Sequence, residues 1–202
     1  MNENDEDFSF SIENLINGIS SAISTSDKGV KESLEKFRLE FYKKFADTNE
    51  KTLAEMITQN YLYLALVPYA ISLPSLAVIE IHSTLERLII EETAREIGKE
   101  SKNKFFLKLI ERNNINELSK ILKELGFLDK DDLKFIKKLN ELRNAIAHKN
   151  TIKISNILNA GRKISIEESD MLLLDIDCIP YIIGVCDIIV KFVKKYNLKA
   201  NI

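Results

Sequence analysis

Apolar residues recur at intervals of three and four positions along most of this chain, the spacing that places them on one face of an α-helix. The six glycines and three prolines are too few for a loop-rich β-sandwich. The spacing therefore predicts an all-α fold, a helical bundle. The predicted helices cover Ser9 to about Ser24, Lys28 to Ala46, Thr48 or Asn49 to just before Pro68, Pro74 or Ser75 to Gly98, Lys102 to Ile110, Ile115 to Leu125, Asp129 to His148, and Asp177 to about Tyr196.

The 202 residues suit a single domain with a sizeable core. Within it we expect a disordered acidic tail over residues 1–7, additional N-terminal helices over 8–67 and a helical core over 74–196. Residues 152–175 have the least readable pattern, compatible with a short helix and an extended strip.

Targeting signals and cysteine chemistry point to the cytoplasm. The acidic N-terminus is unlike a signal peptide, and no apolar run is long enough to cross a membrane, so we expect no membrane partner. Cys178 and Cys186 lie in one apolar segment without a C-x-x-C motif. We interpret them as buried thiols in a reducing compartment.

The predicted helix over Pro74–Gly98 is apolar over most of its surface, which is typical of a central helix. His82 and Glu86 lie one turn apart within this apolar surface, so both need partners. A core histidine held by hydrogen bonds is the simpler interpretation of His82. The alternative is that it supports a functional site from behind.

The predicted helix over Asp129–His148 carries the most informative stretch. Its apolar stripe contains Arg143, whose guanidinium cannot lose its proton and must find an anion, either a carboxylate of the protein or a phosphate of a ligand. Asn144 and His148 share the neighbouring face. An interhelical salt bridge from Arg143 to Glu86 is one interpretation, and a ligand site built from Arg143, Asn144 and His148 is the other.

Charge is unevenly distributed along the chain. The net charge is −2, but residues 134–163 contain eight basic residues and one acid, a local charge of +7 that leaves −9 for the rest. Such a field would attract an anionic polymer, although a solvated lysine-rich face is the alternative. The basic residues are Lys134, Lys137, Lys138, Arg143, Lys149, Lys153, Arg162 and Lys163.

Several kinds of catalytic centre have no support in the sequence. Two histidines and two distant cysteines give no metal ligand set, so we expect no metal. The chain has no G-x-S-x-G elbow, P-loop or G-x-G-x-x-G motif, and we expect no cofactor.

The stretch Leu-Arg-Asn-Ala-Ile-Ala-His over residues 142–148 resembles the signature of the HEPN superfamily, small all-α domains with an arginine, four to six residues and a histidine. The residue after the arginine is typically polar, and Asn144 fits. The order of a central helix with an embedded carboxylate, the motif helix and a final helix resembles the family over roughly Pro74–Tyr196. The helices before Pro68 lie outside this resemblance.

The resemblance implies a metal-independent endoribonuclease of a toxin or phage-defence kind. His148 would act as general base or acid at the 2′-hydroxyl and the leaving oxygen, Arg143 would hold the scissile phosphate, and Asn144 would orient the phosphate or the imidazole. Attack by the 2′-hydroxyl would leave a 2′,3′-cyclic phosphate and would spare DNA. Supporting residues would be Glu86 and His82, and the candidate RNA contacts are Lys138, Lys149 and Lys153.

The resemblance also implies a homodimer in which two copies of the motif meet in one cleft, and it allows an antitoxin or regulatory partner. In one HEPN subgroup a tyrosine two residues after the histidine is modified by a partner enzyme, but this chain has Asn150 there. The alternative function is a catalytically inactive HEPN-like module that binds nucleotide, RNA or a partner protein.

Overall fold

Every element of the computed structural model is helical over the residues that the structure describes, which are 11–22, 28–46, 48–98, 114–158 and 176–200. The prediction of an all-α helical bundle is confirmed. The predicted tail over 1–7, the predicted helix over 102–110 and most of the uncertain stretch 152–175 lie outside the described residues. The elements are α1 (Ile12–Ala22), α2 (Lys28–Lys44), α3 (Thr48–Ile57), a π-helical turn (Thr58–Leu62), α4 (Tyr63–Ala70), α5 (Pro74–Gly98), α6 (Ile115–Glu124), α7 (Lys130–Ala147), α8 (Thr151–Ile157) and α9 (Ile179–Ala200).

The sequence predicts that the third helix ends before Pro68, and this prediction is wrong. The chain continues from α3 through the π-helical turn into α4, and Pro68 lies inside α4. Proline lacks an N–H, so only the carbonyl of Leu64 loses its helical partner. Leu64 is 68% exposed, and an unpaired carbonyl costs less on the exposed side of a helix than in the core. α4 ends two residues after the proline, where the N–H of Leu73 donates to the carbonyl of Pro68 at 2.8 Å.

The predicted starts of the motif helix and of the last helix are confirmed, whereas the last helix continues to Ala200, beyond its predicted end near Tyr196. Asp129 caps α7 by accepting the N–H groups of Asp131 and Asp132 at 2.8 and 2.9 Å, and the carboxylate of Asp132 accepts the N–H of Asp129 at 2.8 Å. This reciprocal arrangement is a capping box. At α9, Asp177 accepts the N–H of Ile179 at 3.2 Å, and Pro180 occupies the first turn.

One cluster of buried apolar side chains includes members from α1 to α9. Phe37, Phe41 and Phe45 of α2 are fully buried within it, with ring centroids 5.7 and 4.9 Å apart. These aromatic residues therefore belong to the core of the protomer. No helix among the described residues is long and apolar enough to span a membrane.

Both cysteines are free and buried, as predicted. The thiol of Cys178 donates to the carbonyl of Pro74 at 3.3 Å, and the sulfur of Cys186 lies 3.6 Å from the hydroxyl of Thr58. Burial raises the pKa of each thiol to about 12. The two side chains therefore remain protonated at neutral pH.

The first two turns of the motif helix α7 pack against α9. Lys191, late in α9, binds the carboxylate of Asp132 at 2.7 Å in the first turn of α7, whereas Tyr181, early in α9, packs on Phe135 further along α7. The start of α9 also contacts the start of α5 through the bond from Cys178 to the carbonyl of Pro74.

Candidate functional site

The three motif residues lie on the last turns of α7, where the helix leaves the core. The buried face of α7 includes Leu139, Leu142 and Ile146. Arg143 and Asn144 are half-buried at its margin, and His148 is exposed. Asn144 and His148 lie one turn apart on one face, so a ligand at this end of the helix would meet both side chains.

A Schellman motif fixes the position of His148, which is the C-cap of α7. Lys149 follows in the left-handed conformation with φ of 50°. The N–H groups of Lys149 and Asn150 donate to carbonyls of the last turn at 3.0 and 2.8 Å. Asn150, at the position of the HEPN-subgroup tyrosine, then caps α8 by accepting the N–H of Lys153 at 3.0 Å. The backbone on both sides of His148 is therefore held by hydrogen bonds.

His82 of α5 lies directly behind the motif and is 2% exposed. Its Nε2 is 3.0 Å from the amide oxygen of Asn140. Because a carbonyl oxygen only accepts hydrogen bonds, Nε2 carries the proton and Nδ1 is the unprotonated nitrogen. The pKa of His82 is lowered chiefly by burial; the Glu86 carboxylate and the bond to Asn140 oppose this effect, and the Arg143 cation adds to it. The imidazole is therefore neutral at neutral pH.

A chain of hydrogen bonds connects this buried histidine to the guanidinium. The amide oxygen of Asn140 also accepts from the side-chain amide of Asn144 at 3.4 Å. The amide oxygen of Asn144 in turn accepts from Nη1 of Arg143 at 3.0 Å. The amide orientation of each asparagine is consistent with both of its bonds. His82, Asn140 and Asn144 therefore hold Arg143 from one side.

The interpretation of Arg143 and Glu86 as an interhelical salt bridge is wrong. Within the described part of the chain, Arg143 forms no ion pair, and its side-chain hydrogen bond goes to Asn144. Glu86 instead lies 3.9 Å from Nδ1 of His82 and is 43% exposed. The side chain of Glu86 reaches back along its own helix to the residue one turn earlier, which removes it from Arg143. Arg143 thus keeps most of its five N–H donors available for an anion.

Nδ1 of His82 is a buried atom without a hydrogen bond. The carboxylate of Glu86 lies 3.9 Å from it, and a carboxylate has no hydrogen to donate. The pair therefore becomes favourable only when His82 is protonated. This nitrogen is buried behind the motif residues, so it does not face a ligand bound at the exposed end of α7.

The basic residues divide into paired and unpaired groups. Lys134 pairs with Asp131, and Lys137 lies 4.0 Å from Glu141. Lys138, Lys149 and Lys153 are exposed, and none of the three forms an ion pair with any residue that the structure describes. Arg162 and Lys163 lie outside the described residues. The three lysines nominated from the sequence are therefore those with uncompensated charge.

The sequence interpretation missed Asn140, which connects His82 to the motif. Asn140, Asn144 and His148 recur at intervals of four residues, the spacing that places them along one face of a helix. That spacing was the available signal. The spacing identifies a polar stripe beside the apolar stripe of α7. Only the contact with α5 shows that Asn140 is the residue of this stripe that connects His82 to Asn144.

Within the described residues, no group of three or more histidine, cysteine, aspartate or glutamate side chains is arranged to hold a metal ion. Comparison of the chain with protein-family models, curated proteins and solved structures gave no match. The resemblance to HEPN domains therefore depends on the sequence motif over residues 142–148 and the order of the predicted helices. What the geometry offers chemically is a half-buried guanidinium with free donors beside an exposed imidazole.

Proposed function

We propose that this protein is a metal-independent, homodimeric endoribonuclease of HEPN type. The observation that carries the proposal is Arg143, a half-buried cation that forms no ion pair within the described residues. A guanidinium so placed remains charged and needs an anion, and a phosphate supplies one with matching bidentate geometry. The exposed His148 lies on the same turns of the helix, and histidine is the side chain most often used to transfer protons in catalysis.

The proposed reaction is transesterification within the RNA strand. One imidazole accepts the proton of the 2′-hydroxyl, whose oxygen then attacks the adjacent phosphorus. The bond from phosphorus to the 5′-oxygen breaks, and that oxygen takes a proton from a second imidazole. The products are a 2′,3′-cyclic phosphate and a 5′-hydroxyl. In a dimer with a shared cleft, the two copies of His148 divide these roles, and Arg143 stabilises the charge that develops on the phosphoryl oxygens.

The unpaired lysines supply binding energy that does not depend on sequence. Lys138 lies six residues before Asn144, roughly 9 Å along the helix axis, and Lys149 and Lys153 follow His148. A strand that passes over the end of α7 would meet these charges on both sides of the motif. Binding through such contacts weakens as salt concentration rises.

The test is cleavage of a labelled single-stranded RNA in EDTA. The wild-type protein should cut the RNA and leave a cyclic phosphate, and it should not cut a strand with 2′-deoxy substitution at the cleavage site. His148→Ala should lower the rate by roughly 10²–10⁴-fold through loss of acid and base catalysis. Arg143→Ala should lower it by roughly 10²–10³-fold.

The matched control is Arg38→Ala, because Arg38 pairs with Glu35 on α2 far from the motif in the sequence. Circular dichroism verifies that each variant is folded. If the folded His148→Ala variant cuts like the wild type, the mechanism is wrong. If the wild type binds RNA in a salt-dependent manner without cutting it, the function is that of a binding module.

A further inference from the structure

The hydrogen-bond chain behind Arg143 has one polarity in which every bond is made. Arg143 has donors and no acceptor, so Asn144 must turn its amide oxygen towards the guanidinium, 3.0 Å from Nη1. The amide nitrogen of Asn144 then faces Asn140, whose oxygen accepts it at 3.4 Å. That same oxygen lies 3.0 Å from Nε2 of His82, so Nε2 must carry the proton. The arrangement that holds Arg143 therefore requires one tautomer of His82.

Two neighbours compete for the single proton of the neutral His82 ring. The oxygen of Asn140 favours the proton on Nε2, whereas the carboxylate of Glu86 favours it on Nδ1. The contact with Asn140 is within hydrogen-bond distance, and the 3.9 Å contact with Glu86 is not. Glu86 is also 43% exposed, so water weakens its pull on the proton. The geometry therefore favours the tautomer with the proton on Nε2.

The other tautomer would reverse the polarity of the chain. With the proton on Nδ1, Nε2 of His82 becomes an acceptor, and Asn140 would have to turn its NH₂ group towards it. Asn144 would then turn its oxygen to Asn140 and its own NH₂ group to Arg143. Two donors cannot form a hydrogen bond with each other. The guanidinium would lose the side-chain partner that it has in the described part of the chain.

The position of this guanidinium matters because the arginine side chain is long and has many rotamers. The bond to Asn144 selects one of them. His82 is 2% exposed, and Asn140 and Asn144 are half-buried, so water is poorly placed to replace a lost bond in the chain. A misplacement of about 1 Å at a catalytic group can lower a rate by about 10²-fold.

We propose that Asn140 is a positioning residue of the candidate site. Its amide oxygen, oriented by the proton on Nε2 of His82, orients the amide of Asn144, which holds the guanidinium of Arg143 where it meets a phosphate. Asn140 acts through these side chains and does not itself touch RNA. The inference rests on the proposed function for the phosphate, but the hydrogen-bond chain is testable without cleavage.

The tautomer of His82 tests the chain in the absence of RNA. The chain has two histidines, so in His148→Ala the remaining imidazole is that of His82. ¹⁵N NMR at about pH 8, above the usual imidazole pKa, should show Nε2 protonated and Nδ1 without a proton. Adding Asn140→Leu removes the acceptor and should move the proton towards Nδ1, beside Glu86. A proton on Nδ1 before that substitution, or an unchanged tautomer after it, overturns the proposal.

Cleavage kinetics measure the effect of positioning on the reaction. Asn140→Leu should lower kcat by roughly 10–10²-fold with little change in KM, because Arg143 keeps its charge but loses its orientation. His82→Leu should have a similar effect, and the double variant should be no worse than either single variant, since both act through one chain. His82→Gln should recover most of the rate, because its amide can still donate to Asn140. A double variant with additive losses contradicts the proposal.

The matched control is Asn116→Leu. Asn116 is also a half-buried asparagine on a helix, α6, but its buried amide oxygen has no hydrogen-bond partner in the described part of the chain. This variant should leave kcat unchanged, and equal losses in the two leucine variants would show a packing effect and overturn the proposal. If the wild type cuts no RNA, the proposed function is wrong, and the NMR outcomes still decide whether His82 and Asn140 hold Arg143.

Discussion

Gly184 of α9 allows the last helix to pack closely against the motif helix. A Cβ atom built at this position would lie 2.5 Å from both Cε2 and Cζ of Phe135. Carbon atoms in contact prefer separations of 3.5–4.0 Å, so the ring would have to move by about 1 Å. Phe135 also packs on Tyr181 with centroids 6.2 Å apart, which restricts that movement. We therefore predict that Gly184→Ala destabilises the protein.

Two opposing effects set the magnitude. Overpacking a core contact costs about 1–3 kcal/mol, whereas alanine in place of glycine inside a helix gains about 1 kcal/mol. The net loss in the free energy of unfolding should be about 1 kcal/mol, measured by urea denaturation and circular dichroism. When the ring is removed by Phe135→Leu, the steric cost disappears, and Gly184→Ala should then stabilise the protein by about 0.5–1 kcal/mol.

Gly18 of α1 provides the matched control, because a Cβ there would meet nothing within 4 Å. Gly18→Ala should stabilise the protein by about 0.5–1 kcal/mol in either background. The reasoning fails if Gly184→Ala has the same effect with and without the Phe135 ring. It also fails if Gly184→Ala stabilises the wild-type background as much as Gly18→Ala does.

Three further predictions concern stability and reactivity. Gly126 has φ of 73°, and a Cβ there would lie 2.8 Å from Nζ of Lys195, so Gly126→Ala should lower the free energy of unfolding by about 1–2 kcal/mol in urea denaturation; an unchanged midpoint would contradict this. Because burial raises the pKa of Cys178 and Cys186 to about 12, neither thiol should react with a thiol reagent at pH 8 until urea unfolds the protein, and fast labelling of native protein would disprove it. The pKa of His82 is lower in the folded than in the unfolded chain, so below the unfolded value of about 6.5 the unfolded state binds more protons and stability should fall as the pH is lowered. That fall should be shallower in His82→Asn, whereas an identical slope would show that other groups cause it.

The helices could be predicted because apolar spacing and cap residues are local signals. Asp129 and Asp177 cap the predicted starts of their helices, and Gly126 follows the predicted end of α6. The course of the chain around Pro68 could not be predicted in this way. A proline is compatible with a helix when the carbonyl that it leaves unpaired is exposed, and exposure is a property of the folded molecule.

The sequence predicted the part of the candidate site that lies on a single helix, but not the contacts between helices. The face shared by Asn144 and His148 follows from helical spacing alone. The partner of Arg143 depends on which side chain of α5 comes within reach across the helix interface. Glu86 has the right charge, yet it approaches His82 instead, and Asn140 forms the contact between the helices. Nuclease activity and the shared cleft stay predictions.

The π-helical turn over Thr58–Leu62 has a consequence for changes in chain length. Its hydrogen bonds span five residues instead of four, so the turn contains one residue more than an α-helix of the same height. Deletion of one of its residues lets the turn revert to α-helical spacing while α4 keeps its orientation. A deletion inside α3 or α4 instead rotates every later side chain of that helix by about 100°. The π-helical turn is therefore the position between α3 and α4 where the loss of one residue should disturb the packing of the following helix least.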